Sequence, residues 1–287
     1  MGNGSERERW HKVHEGHRFL DVSDYGRGAA LALVRLLLPT AVTPHHLTLA
    51  SGLAGLAAAY AFSRGSYTAG LLAAFLLQIK NILDAADGSL ARARRKPSRI
   101  GRFLDSLTDF VVSGAVCLGL AVPLAREWGT SLPYLLAGLT FLSALLQCSY
   151  YNYYSVAYRH ATQGDCTSLT DERLNPEERE QKLLAVLFGL YQAVYAWQDR
   201  LVAWVEARTA ARILEHPCRY QDPGFLTRVS VLGLGTQILA LDLLALAGRP
   251  QWFFPLILVG GNLYLLWLVV HRVSRVRRMA ETPAAMV

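Results

Sequence analysis

The sequence predicts an all-α integral membrane protein, with six transmembrane helices preceded by an amphipathic helix lying along the cytoplasmic interface. Three observations lead there. Of 287 residues, 52% are hydrophobic, and the mean hydropathy is +0.22. Charged residues make up only 18%, against roughly 25% in an ordinary soluble protein. The apolar residues fall in runs that, with their flanks, reach the ~20 helical residues needed to cross a bilayer. A soluble helical protein is the blander alternative and would rarely carry several such runs. Disorder is excluded by the hydrophobic balance. The 4 cysteines (Cys117, Cys148, Cys166, Cys218) are scattered without a Cys-x-x-Cys, which argues against a disulfide scaffold, a zinc site or a redox pair.

The elements follow in order. Residues Gly2–Arg18 are charged and histidine-rich and lack the apolar region of a signal peptide. His11, His14 and His17 read as a polar face. Ser23-Asp24 reads as a helix cap for Tyr25–Leu38, where Arg27 and Arg35 sit among Leu31, Val34, Leu37 and Leu38 before Pro39. That segment is too short to span and fits the interface. Thr43 caps the first span and Pro44 occupies its first turn. The spans are His45–Ser63, Tyr67–Leu83, Phe110–Ala125, Leu132–Ala157, Val229–Ala247 and Trp252–Val270. Asp242 falls near the outer end of the fifth, facing the interface. Tyr150, Tyr151, Asn152, Tyr153 and Tyr154 end the fourth as an aromatic belt or, alternatively, an acceptor pocket.

Between the fourth and fifth spans, Lys182–His216 reads as a helix. Leu183, Leu187, Leu190, Val194, Trp197, Leu201 and Trp204 recur at alternating steps of four and three. This seam suits a membrane-surface face, a lid or a dimer element. The chain thus divides into a tail and interfacial helix (1–42), four spans (43–158), a cytoplasmic connection (159–225), and two spans with a basic tail (226–287).

Orientation comes from the basic residues. The connections after spans 1, 3 and 5 carry Arg64, Arg126 and Arg249 alone. The connection after span 2 carries Arg92, Arg94, Arg95, Lys96, Arg99 and Arg102, and the tail carries Arg272, Arg275, Arg277 and Arg278. Both termini and the even-numbered connections are therefore expected in the cytoplasm, with the membrane being the inner or plasma membrane if the source is bacterial. The net charge of +7 is explained by membrane helix ends and anionic headgroups, so nucleic acid is not an expected partner.

One region violates membrane-helix rules. Asp84, Asp87, Gly88 and Ala91 are spaced i, i+3, i+4, i+7 on one helix face; Gly101, Asp105 and Asp109 are spaced i, i+4, i+8 on the next. A short connection makes the two helices antiparallel neighbours, so four carboxylates converge. Ionisable groups within the membrane point to function. Close carboxylates raise one another's pKa, and hard divalent cations relieve the repulsion. Two Mg²⁺ or Mn²⁺ ions would balance four carboxylates and suit phosphoryl chemistry. Small residues at Gly88, Ala91 and Gly101 leave room for a bulky ligand, and Arg92 can meet a phosphate oxygen. Lys80, one turn before Asp84, either meets a phosphate or offsets the carboxylates. Arg228 is either an acceptor-phosphate contact or a positive-inside anchor.

The run Asp84-x2-Asp87-Gly88-x2-Ala91-Arg92-x8-Gly101-x3-Asp105-x3-Asp109 resembles the CDP-alcohol phosphotransferase signature at all eight of its specified positions. Thr43-Pro44-His45-His46-Leu47-Thr48 is similar to the family's Pro-Asn-x-x-Thr opening, with His45 where Asn is usual. The resemblance implies transfer of a substituted phosphate from a CDP-alcohol to the hydroxyl of a second alcohol, with release of CMP. It implies Asp84, Asp87, Asp105 and Asp109 as metal ligands and Asp109 as the general base. Asp84, Gly88, Ala91, Arg92 and Gly101 would hold the CDP-alcohol, and a homodimer is implied. CDP-diacylglycerol with a small polar acceptor is the expected pair. The alternative is CDP-choline or CDP-ethanolamine with diacylglycerol; that eukaryotic branch commonly reads Gln-Ala-Arg-Arg and Asp-His, where this chain has Leu90-Ala91-Arg92-Ala93 and Asp105-Ser106. A cation transporter is the alternative from another class.

Overall fold

The computed structural model describes residues 13, 15–17, 19–162, 173–210 and 222–281. His11, His14, Cys166, Cys218 and the end of the predicted 182–216 helix lie outside the described residues, as do the side chains of Arg275, Arg277 and Arg278. Every regular element among the described residues is helical.

We number the helices α1 (Arg27–Leu37), α2 (Pro44–Ser63), α3 (Tyr67–Ala93), α4 (Arg99–Trp128), α5 (Leu132–Ala161), α6 (Pro176–Glu180), α7 (Lys182–Ala210), α8 (Pro223–Ser230), α9 (Leu234–Leu246) and α10 (Asn262–Glu281). Four helical stretches are long and apolar enough to cross a membrane: α3, α4, α5 and Pro250–Ser274; α8 and α9 together make a fifth, bent by 42°. Helix α2 has 20 residues, but histidine, serine, threonine and glycine dilute its apolar content.

The start of α2 forms as its sequence dictates: Thr43 accepts from the His46 amide and Pro44 occupies the first turn. The start of α1 does not. Asp21, rather than Ser23-Asp24, caps the turn Val22–Asp24, and α1 begins after Gly26 without a side-chain cap. Asp24 instead pairs with Arg27. The chain leaving α1 is tied down from a distance: the Arg94 guanidinium donates to Val42 O (2.5 Å), Leu37 O (2.8 Å) and Thr40 O (2.8 Å), a cation placed at the negative end of the helix dipole.

Helix α2 packs chiefly on α3 and α4, and α9 packs on α3. The central core is rich in small residues, including Ala58, Ala59, Ala73, Ala74, Ala121 and Ala137 around Phe62, Leu77 and Leu120. Small residues let backbones approach, which is how helices gain contact where lipid supplies no hydrophobic drive. Gly119 of α4 marks one such close approach: a Cβ there would meet the Ala59 backbone of α2.

The fifth predicted span is broken between Ser230 and Leu234. The break holds the N-terminal segment: Val22 N donates to Ser230 Oγ (3.0 Å), and Gly235 N donates to Ser23 Oγ (3.2 Å). The last span contains a π-helical segment, Leu256–Gly261. Gln147 of α5 explains how it is tolerated, donating to Ile257 O at 3.1 Å and to Asn262 Oδ1 at 3.1 Å. Asp242 is not at the interface. It is 4% exposed, and the Gln78 amide donates to it while also reaching Tyr25 Oη at 2.8 Å.

Candidate acidic site

Helix α3 runs unbroken through Asp84, Asp87 and Arg92, and α4 begins at Arg99, with the Ser98 side chain accepting from Gly101 N. The two helices are joined by a tight connection in which Arg95 takes φ 53°, so they return side by side. This brings carboxylate oxygens of Asp84, Asp105 and Asp109 within 4.8 Å of one another. Among the described residues this is the cluster of acidic, histidine or cysteine side chains able to hold a metal ion. Asp105 Oδ1 is buried without a hydrogen-bond partner, an atom of the kind that a cation would satisfy.

Asp87 stands on the same wall but outside that triad. Its carboxylate accepts from Thr48 Oγ1 at 2.5 Å, tying α3 to α2. Lys80 is 1% exposed, donates to Asp109, and lies 3.3 Å from Asp84 Oδ1. It sits behind the carboxylates and does not line the cavity.

A cavity of about 810 Å³ opens in front of the cluster. Asp84, Asp87, Gly88, Ala91, Arg92, Gly101, Asp105 and Asp109 all line it. Gly101 lies at a close approach, since a Cβ there would be 3.0 Å from Ser98 Oγ and 3.2 Å from His45 Cε1 of α2. Arg92 donates to Ser89 Oγ at 3.2 Å, beside Gly88. Arg228 does not line the cavity; it bonds Gly224 O (3.1 Å) and His271 Nε2 (3.2 Å).

The far wall is legible in the sequence only in part, through the Tyr150–Tyr154 run read as an acceptor pocket; the N-terminal segment and α7 are its additions. Asp21, Asp24 and Arg27 come from the N-terminal segment, and Tyr151, Asn152 and Arg159 from α5. Tyr151 Oη donates to Asp21 Oδ2 at 2.5 Å. The tyrosine run is therefore no aromatic belt: Tyr150 and Tyr154 are buried against α8 and α10, while Tyr151 and Tyr153 face the cavity. Helix α7 adds Tyr191, Tyr195 and Asp199. Its apolar seam points the other way: Leu183, Leu190, Trp197, Leu201 and Trp204 are exposed, while Leu184, Gln198, Val202 and Glu206 are buried.

The apolar bundle and its sunken carboxylates define an integral membrane protein built around an acidic site at one end of its helices. The family model for CDP-alcohol phosphatidyltransferase matches residues 41–209, and the chain belongs to that family. Its carboxylate cluster fits the divalent-metal dependence of the family. A bifunctional IPC transferase and DIPP synthase of Thermococcus kodakarensis is 31% identical over 160 residues, 54% of this chain and 34% of that protein. An archaetidylinositol phosphate synthase of Pyrococcus horikoshii is 35% identical over 94 residues, 33% of this chain and 48% of that one. The matched region thus spans between a third and a half of these relatives. The crystal structure of Mycobacterium tuberculosis phosphatidylinositol phosphate synthase with CDP-DAG bound aligns at TM-score 0.37 and 18% identity, covering 78% of this chain and 93% of that one.

Proposed function

We propose that this chain transfers a phosphatidyl-type group from a CDP-alcohol, CDP-diacylglycerol in the first instance, to the hydroxyl of a small polar acceptor. The observation that carries the reading is the convergence of Asp84, Asp105 and Asp109 within 4.8 Å, on the wall of a cavity also lined by Gly88, Ala91, Arg92 and Gly101. Asp84, Asp87, Asp105 and Asp109 would hold two Mg²⁺ or Mn²⁺ ions, which supply charge neutralisation for a diphosphate and its leaving oxygen. Gly88, Ala91 and Gly101 leave space for the nucleotide, and Arg92 offers a guanidinium to a phosphate oxygen. Asp109 takes the proton of the acceptor hydroxyl. The acceptor oxygen bonds to phosphorus, the bond to the CMP oxygen breaks, and CMP leaves. An aspartate of ordinary pKa ~3.9 is a weak base, so geometry must lower the demand on it.

The names of the archaetidylinositol phosphate synthases favour a phosphorylated polyol such as inositol phosphate as acceptor. The cations Arg27 and Arg159 at the far wall suit that acceptor. Helix α2 completes six spans with the four long helices and the bent pair. Helix α1 would lie on the cytoplasmic surface, with the acidic site and both termini on that side, and the enzyme would act as a homodimer.

Purified protein is given CDP-diacylglycerol with inositol phosphate, glycerol phosphate or serine, or CDP-choline with diacylglycerol, with and without Mg²⁺ or Mn²⁺. Metal-dependent CMP release and a phosphatidyl product by mass spectrometry support the reading. CMP release only with the CDP-choline pair reverses the donor assignment, and release with none refutes the transferase.

A further inference from the structure

Helix α7 lies across α4 and α5 beside the acidic site, and polar side chains hold it there. Ser149 Oγ donates to Gln198 Oε1 at 2.6 Å, with Gln198 fully buried. The Tyr154 hydroxyl donates to Glu206, and Arg272 Nε lies 3.5 Å from the same carboxylate. Arg272 also covers the Tyr154 and Phe225 rings at 4.6 and 5.0 Å. Nearer the acidic site, the Tyr191 ring packs on Phe103 at 4.9 Å and the Tyr195 ring faces Phe110 at 6.5 Å.

The Tyr195 hydroxyl makes the most consequential bond, donating to Ser106 O at 2.8 Å. Ser106 follows Asp105 directly, and its carbonyl belongs to the helical turn that ends at Asp109 and Phe110. A second donor on that carbonyl, reaching from a different helix, fixes the turn that carries two of the three clustered carboxylates. Burial, and after it the nearby Asp109 charge, push the Tyr195 pKa up, so the phenol stays a donor.

We infer that Tyr195 is a positioning residue: through the Ser106 carbonyl it holds Asp105 and Asp109 in register with Asp84, and α7 is the fixed beam from which it does so. The catalytic consequence rests on the transferase reading above; the metal-binding consequence does not.

The test compares Tyr195→Phe with wild type as full-length protein in nanodiscs. Mn²⁺ binding is followed by electron paramagnetic resonance, and kcat and KM by CMP release from CDP-diacylglycerol. The expected result is a roughly tenfold fall in kcat, a donor KM within about twofold, and Mn²⁺ affinity weakened severalfold at unchanged stoichiometry, the scale of one lost hydrogen bond. Trp197→Phe, on the exposed face of the same helix, should match wild type. Wild-type kcat and Mn²⁺ affinity in Tyr195→Phe would overturn the inference. So would a fall in Mn²⁺ stoichiometry at unchanged affinity, which marks lost protein rather than a shifted site. If wild type releases no CMP with any acceptor, the transferase reading fails while the Mn²⁺ comparison still decides on Tyr195. If wild type binds no Mn²⁺, nothing is there to be positioned and the inference falls.

Discussion

The α3–α4 hairpin and helix α7 both set polar groups against buried surface, in opposite ways. In the hairpin, four carboxylates face one cavity, with Lys80 offsetting Asp84 and Asp109 from behind. In α7, each buried polar group meets a complementary partner: Gln198 with Ser149, Glu206 with Tyr154 and Arg272. The hairpin concentrates like charge and leaves Asp105 Oδ1 without a partner. Helix α7 gives its buried polar side chains Gln198 and Glu206 a partner each. Unbalanced charge marks a site that expects a ligand, and balanced polarity marks a joint.

Four variants bear on that contrast, the largest effect first. Asp109→Asn should retain CDP binding by calorimetry yet lose CMP release by more than about a hundredfold, exceeding the 10–100-fold typical of outer-shell partners. Full activity would remove the base assignment. Lys80→Met should lower stability of the metal-free protein by about 3 kcal/mol, the low end for breaking a buried ion pair. Thermal melts should show that gap narrowing on addition of Mn²⁺; a gap indifferent to metal would mean that Lys80 does not share the carboxylates with a cation. Gln198→Leu should cost about 1–3 kcal/mol, the scale for stranding a buried polar partner, here Ser149, with the same loss in the presence and absence of Mn²⁺. A metal-dependent loss would show that joint and site are not separable in this way.

The smallest effect belongs to the rim. Glu178 accepts from Asn175 N (2.9 Å) and from Arg99 (2.6 Å). The Asn175 amide foremost, then Arg99, hold its carboxyl below the usual range. A lowered folded pKa gives a stabilising contribution that is present above the unfolded value and lost as pH falls through the folded one. The melting temperatures of wild type and Glu178→Gln should therefore differ slightly at neutral pH and converge below about pH 4.

The hairpin was legible because its residues break a local rule: aspartates at helical spacing inside an apolar run stand out without knowledge of their neighbours. The starts of α2, α3 and α5 were legible for similar reasons, through Thr43-Pro44 and the apolar runs, whereas α3 and α4 extend about ten residues past the runs Tyr67–Leu83 and Phe110–Ala125 to carry the carboxylates. The apolar seam of α7 was legible as a face for something other than the bundle: the structure turns Leu183, Leu190, Trp197, Leu201 and Trp204 outward, the arrangement a membrane-surface face requires. Its packed face was not legible, because the partners of Gln198 and Glu206, namely Ser149, Tyr154 and Arg272, lie on other helices. Asp242 was misplaced for a related reason, since its partners Gln78 and Tyr25 lie far away in sequence. The break in the fifth span left one local signal, Gly233 and Gly235 inside an apolar run, but what occupies it comes from the other end of the chain.

That last contact has a consequence in time. Val22 and Ser230 are 208 positions apart, and Ser23 and Gly235 are 212 apart. At a synthesis rate of about 5–20 residues per second, roughly 10–40 s separate the emergence of the N-terminal segment from that of its seat. Asp21, Asp24 and Arg27 of the cavity wall are thus translated early and locked late. Through the later part of that interval, once residue 109 has been made, the carboxylates of the hairpin are all present, while the chamber in front of them still has one side to be closed.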